Sequence, residues 1–214
     1  MTDYYTVAEL KAENPDSGFN SSSDYDVALG WFITSASRAI DREIGKWDNY
    51  FYPATDGETR YFDGTGMREL WIDDVISVTS VSVSDSGGLA SSDYTAWSSS
   101  DYIILPHNQT PKTILLVDNL NGSKIYWEPY IKAVKVVGVF GYSTTPPQVI
   151  KQACSIQALR WFQRAKQNWQ DAGAKSDFGQ VVVSVGNKDF YGSKLDPDVA
   201  ALLQPFKIRA LAEL

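Results

Sequence analysis

"VISVTSVSVS", residues 75–84, alternates β-branched apolar residues with Ser and Thr, and its period of two is that of a strand with one face buried. On a regular strand Ile76 and Val78 would share one face and Val81 and Val83 the other. A bulge or turn near Ser80 is therefore expected, to absorb the slip in phase. Similar β-rich runs lie on both sides: "TRYFDG", "ELWIDD", "DYTAW", "DYIILP", "TILLVD" and "YIKAVKVVGVFGY", separated by Gly, Asn, Asp and Pro. Together they predict an antiparallel β module over residues 53–145.

Outside that module the period becomes helical. Thr6 and Glu9 form a capping box that opens "TVAELKAEN", and Pro15 stops it. Ser23 or Asp24 opens "DYDVALGWFITSASRAIDREIGKW", in which Leu29, Phe32, Ile33, Ala36, Ile40, Ile44 and Trp47 make one apolar stripe. Thr145, followed by Pro146 and then Gln148, opens "PPQVIKQACSIQALRWFQRAKQNW", a helix apolar around much of its circumference. Such a helix should lie between others or against a neighbouring subunit. "QVVVSVGNKDFYGSKL" reads as a hairpin at about 179–195. Asp196, Pro197 and Asp198 then open a last helix, and Pro205 kinks or detaches residues 206–214. The expected fold is α+β: a helical bundle of about four helices with an inserted antiparallel β module. Its segments are 1–52, 53–145 and 146–214, with the helical parts packing together as one structural unit.

The chain has 214 residues and a net charge of −7, unevenly spread. Residues 1–145 hold 10 Lys/Arg against 20 Asp/Glu, and residues 146–214 hold 9 against 6. Duplex DNA is held mainly by basic side chains that displace counterions, so tight DNA binding is not expected. No run reaches the ~20 apolar residues of a membrane helix, and residues 1–20 carry no secretory pattern.

Chemistry has few residues to draw on. His107 is the only histidine, in the proline-flanked turn "LPHNQTPK", and Cys154 is the only cysteine, on an apolar helix face. A Ser-His-Asp or Cys-His arrangement would have to use His107, which, like Cys154, reads as structural, and one His and one Cys leave a zinc site almost no ligands. "DNLNGSK" at 118–124 lacks the spacing of a calcium loop, and "DGTGMRE" lacks the third glycine and Lys-Ser pair of a phosphate loop. That stretch is expected to be a hairpin turn. Residues 51–74, "FYPATDGETRYFDGTGMRELWIDD", hold eight charged side chains. Glycoside hydrolysis would need two of their carboxylates facing each other across a cleft, one of them kept protonated by burial. These acids sit beside turns at strand ends, where solvated aspartates are usual, so the segment reads as scaffold. No catalytic, cofactor or metal residues are expected. A carbohydrate-binding or glycosidase-like β module with helical flanks, using Trp71 or Trp97 as sugar platforms, is the alternative.

The order of the motifs carries a further reading. "YTVAELKA" precedes "SRAIDREIGKWDNYFYPATDGETRYFDGTG", then "LWIDDVISVTSVSV", "GYSTTPPQVIKQACSIQALRWFQR" and "KLDPDVAALLQPF". Over about residues 4–206 this order resembles the head–tail connector (adaptor) family of tailed bacteriophages. The resemblance implies a non-enzymatic structural protein of the virion neck, assembled in the host cytoplasm as a homo-oligomeric ring of about twelve copies. It would sit beneath the portal, contact a head-closure or tail-terminator protein, and let double-stranded DNA pass without gripping it. It also implies a portal-binding C-terminal segment, here Phe206, Lys207, Ile208, Arg209, Leu211 and Leu214. The long 84–128 insertion departs from the short family pattern.

Overall fold

The structure, a computed structural model, describes residues 2–15, 22–88, 90–166 and 195–207. The chain divides into a β unit, Met1–Thr2 with Asn49–Thr145, and a helical unit, Asp3–Asp48 with Pro146–Leu214. Among the described residues the architecture is mixed α+β, with four α-helices and a six-stranded antiparallel sheet.

In the helical unit, α1 (Val7–Glu13) opens with the expected box: the Thr6 hydroxyl accepts from the Glu9 N–H, and the Glu9 carboxylate accepts from the Thr6 N–H. The cap of α2 (Asp26–Glu43) differs from expectation. Tyr25 occupies the cap position without a side-chain bond, and Ser23 contributes only its carbonyl, accepting from the Asp26 N–H at 3.1 Å. The helix also stops short of Trp47. Gly45 adopts φ 74°, and the N–H groups of Gly45 and Lys46 turn back to the carbonyls of Arg42 and Asp41. This is the paired closure that a left-handed glycine permits. Leu29, Ile33, Ala36 and Ile40 are buried along one stripe, and Ile44 follows them.

α3 (Gln148–Lys166) begins three residues after Thr145 and packs against α2, with Phe162 edge-on to Tyr25 and Phe32. Its buried Gln157 accepts from the Asp196 N–H at 2.9 Å, and Arg160 pairs with the Asp196 carboxylate. Asp196 caps α4 (Pro197–Leu203), with Pro197 in the first turn, as the sequence predicts. The expected hairpin at about 179–195 lies outside the described residues, except for Leu195.

The β unit contains β1 (Glu58–Phe62), β2 (Glu69–Ser84), β3 (Tyr94–Ala96), β4 (Tyr102–Leu105), β5 (Lys112–Val117) and β6 (Val134–Phe140). The sheet order is β1-β6-β2-β5-β4, with β3 on β2. "ELWIDD" and "VISVTSVSVS" are one 16-residue strand rather than two. Against β6 its register slips between Val75 and Ser77 and again between Val78 and Ser80, where the sequence anticipates a bulge. Each slip inserts one residue, so Val75, Val78, Val81 and Val83 all stand opposite alternate residues of β6: Phe140, Gly138, Val136 and Val134. Val75, Val81 and Val83 are fully buried, and burial of each such side chain is worth about 1.5–3 kcal/mol.

Residues 63–68 are not a hairpin turn. β6 lies between β1 and β2 and is antiparallel to both, so the chain crosses over between strands running the same way. The crossing is bonded to a distant segment instead. Gly64 donates to the Tyr130 carbonyl, Gly66 to the Trp127 carbonyl, and the Trp127 N–H to Met67. A Cβ on Gly64 would stand 1.6 Å from the Glu128 carbonyl oxygen, so only glycine fits there.

Candidate assembly surfaces

The acidic stretch 51–74 is spent on holding the sheet. Arg60 lies over the Phe140 ring and is paired by both Glu58 and Asp73, Asp74 accepts from the Tyr50 hydroxyl at 2.6 Å, and Asp63 accepts from the Lys132 N–H at 2.7 Å. Four of the six acids are thus partnered within their own unit. Two acids farther along the chain behave alike. Asp101 accepts from the Ser123 and Ser98 N–H groups, and these bonds, that to Ser123 foremost, hold its carboxyl below the usual range. Asp118 is held down in the same direction by the Asn121 side chain and the Leu120 N–H. A glycosidase acid must be pushed the other way. In "DNLNGSK" the carboxylate oxygens therefore serve the loop's own N–H groups. Among the described residues no group of three or more His, Cys, Asp or Glu side chains is placed to hold a metal ion.

Trp97 is not a surface platform. It is 7% exposed and stacks on the fully buried Trp127, with centroids 4.5 Å apart and planes at 8°. The Trp127 indole N–H donates to the Arg68 and Leu115 carbonyls. Trp71 is 67% exposed, so only one of the two proposed sugar platforms reaches solvent. His107 is exposed in the β4–β5 connection, and Cys154 is buried beside the Ser37 hydroxyl at 3.5 Å.

Of the residues assigned to portal binding, Phe206 and Lys207 are described; Ile208, Arg209, Leu211 and Leu214 lie outside the described residues. Phe206 ends a 3-10 turn built on Pro205, directly after α4, and Lys207 pairs with Glu43 at the end of α2. At Pro205 α4 has given way to this turn, and of the nine residues expected to kink or detach only Phe206 and Lys207 are described. Both residues are half-buried, and the Lys207–Glu43 pair, on partly exposed side chains, is worth well under about 1 kcal/mol.

One surface was not anticipated. Cross-strand partners share a face of a sheet, and two rows run across β2, β5 and β4: Trp71–Ile114–Leu105 and Glu69–Leu116–Ile103. The intervening row, Leu70–Leu115–Ile104, faces the core, where Leu70 and Leu115 are buried. The first two rows therefore form the outer face, and five of their six side chains are apolar, none of them buried. The signal lay in "YIILP" and "TILLV", which are apolar at consecutive positions and so apolar on both faces.

No helix among the described residues is long and apolar enough to cross a membrane. No protein-family model matches the sequence, and no curated protein matches it. Solved structures share the fold from end to end. A chain from the neck of an empty gene transfer agent (GTA) particle, computed with C6 symmetry, is 18% identical with a TM-score of 0.54, over 100% of this chain and 96% of that one. A chain from the virion of a native GTA particle is 18% identical with a TM-score of 0.51, over 97% and 95%. A third, from the neck of a native particle computed with C12 symmetry, is 19% identical with a TM-score of 0.50, over 100% and 96%. The chain has the fold of these neck and virion chains.

Proposed function

We propose that this chain is a structural protein of a virion neck: a head–tail connector, or adaptor, without enzymatic activity. The observation that carries the reading is fold likeness over the whole chain, β unit and helical unit together, to chains of GTA necks. In this reading the helices form the connector's bundle and the β unit is its insertion. About twelve copies form a ring beneath the portal, continue the DNA channel, and meet a head-closure or tail-terminator protein on the other side. The partnered acids of residues 51–74 and the shortage of His and Cys agree with a scaffold role. An acidic chain of net charge −7 would let DNA slide rather than hold it.

The C-terminal segment, Phe206 to Leu214, is the proposed portal grip. Its apolar side chains flank Lys207 and Arg209, and repetition around a ring would turn a weak single contact into a firm joint. The test is deletion of residues 205–214. A folded, soluble protein that no longer attaches to portal-bearing heads is the expected result, read by electron microscopy of heads after mixing. Normal attachment would remove the tail from the grip, and unfolding would place it in the core of the helical unit.

A further inference from the structure

Among the asparagines of the chain, Asn121 alone is followed by glycine. That pair is chemically weak. The backbone nitrogen of the second residue can attack the side-chain carbonyl carbon of the asparagine, and glycine has no side chain to obstruct the approach. The nitrogen gives up its proton, a cyclic imide forms, and ammonia leaves. Water then opens the imide at either carbonyl, leaving aspartate or its β-linked isomer. Water is consumed and ammonia released, with no oxidant or reductant involved. Asn121 is exposed, so water reaches it freely.

The surrounding turn opposes each part of that attack. The Gly122 N–H, whose nitrogen must attack, donates to the Asp118 carbonyl at 3.0 Å. The Asn121 side-chain amide donates to one Asp118 carboxylate oxygen at 2.7 Å, and the backbone N–H groups of Leu120 and Asn121 donate to the other at 3.0 and 3.2 Å. Both reacting groups are thus tied to one residue instead of turned toward each other. The segment is pinned from the far side as well. The Ser123 N–H donates to Asp101 at 2.8 Å, and a Cβ on Gly122 would stand 2.6 Å from the Asp101 Cα. Packing therefore demands glycine at 122, and the vulnerable pair comes with it.

We propose that Asn121 is a deamidation site gated by the Asp118 turn: the closed turn protects it, and deamidation of an open turn keeps that turn from closing again. The Asn121 amide gives a hydrogen to Asp118. A carboxylate in its place has none to give and would face Asp118, which its own hydrogen bonds keep ionised, at hydrogen-bonding distance. Like charges so placed repel. The β-linked isomer also lengthens the backbone by a carbon and shifts Gly122 from its fit against Asp101. Only the loop has to open, which costs less than unfolding the chain. Loss of ammonia makes the change one-way, and it holds whatever the chain assembles with.

Wild type and Asp118→Ala are aged at mildly alkaline pH, folded and in denaturant, and digested. Mass spectrometry then follows the peptide bearing Asn121 for replacement of NH by O. The folded wild type should deamidate at least about tenfold more slowly than the denatured chain, because only the open fraction reacts. Asp118→Ala, checked for fold by circular dichroism, keeps the backbone bond but loses those to the carboxylate. It should react at least about fivefold faster than folded wild type, with its denatured rate unchanged. Asn121→Asp, the product with the ordinary linkage, should fold but exchange the backbone hydrogens of Leu120, Asp118 and Gly122 faster than wild type. If Asp118→Ala does not fold, the folded and denatured wild-type rates and the Asn121→Asp exchange decide. Equal rates for folded and denatured wild type would overturn the gate. So would a folded Asp118→Ala as slow as wild type, and unchanged exchange in Asn121→Asp would show that the turn closes over its product.

Discussion

Cys154 shows how one buried atom sets a property of the protein. Burial pushes its thiol up from 9.0 to about 12, with the Ser37 hydroxyl pulling slightly the other way. The phenols of Tyr5 and Tyr50 are raised as well, each chiefly by burial, and Tyr50 also by its bond to Asp74. All three groups are neutral in the folded chain and ionise more readily once unfolded. Their stabilising contribution is complete below about pH 9 and is lost as pH rises toward the folded values. The melting temperature should hold steady up to about pH 9 and fall beyond it, and Cys154→Ala should flatten part of that fall. Thiol labelling at pH 8 should proceed only as fast as the chain opens. A flat profile to pH 11, or immediate labelling, would refute the account. At this scale the sequence was legible where a residue answers to its neighbours, as Thr6 does to Glu9 and Asp196 to Asp198. It was not legible for Trp97, whose burial depends on Trp127 thirty positions away.

Among the elements, β2 carries the most information, because its two extra residues keep one apolar face turned inward over 16 positions. The slip near Ser80 could be foreseen from the valine spacing alone. The slip between Val75 and Ser77 could not, because Asp73 and Asp74 look like a strand end when nothing shows their partners Arg60 and Tyr50. Thr79 is the exposed residue between the paired Val78 and Ser80. Deleting it should leave an unbroken ladder to β6 in the same register, with Val78, Val81 and Val83 still on alternate positions of one face, so the shortened strand should stay folded. Thr79→Ala, which keeps the count, should change stability by no more than about 0.5 kcal/mol. The two are compared by chemical denaturation. A deletion variant far less stable than Thr79→Ala would show that Thr79 is not a spare residue and would refute this reading of the bulge. Helix ends were read less well than strands. Gly45 is the stop signal for α2, and the apolar Ile44 and Trp47 on either side of it suggest continuation.

For the molecule as a whole, the division into helices and strands could be read from periodicity, but the strand order could not. A six-residue link between β1 and β2 suggests a hairpin, and only the distant β6, bonded to both, separates them. The apolar outer face is hidden for the same reason, since it exists only once β4, β5 and β2 lie side by side. Net charge, in contrast, follows directly from composition. The isolated protein should retain little duplex DNA in filter binding at about 0.15 M salt, because non-specific affinity requires neutralised phosphates. Sub-micromolar retention would reveal a continuous basic stripe. The β unit has one more property. The Tyr142 N–H donates to the Tyr50 carbonyl at 2.8 Å, so the incoming and outgoing chains run side by side at its base. Residues 50–142 are thus a cassette whose two ends meet. A lineage could exchange it, lengthen its 84–128 stretch, or discard it behind a short splice without re-threading any helix, and the helical scaffold and its graft are free to change at different rates.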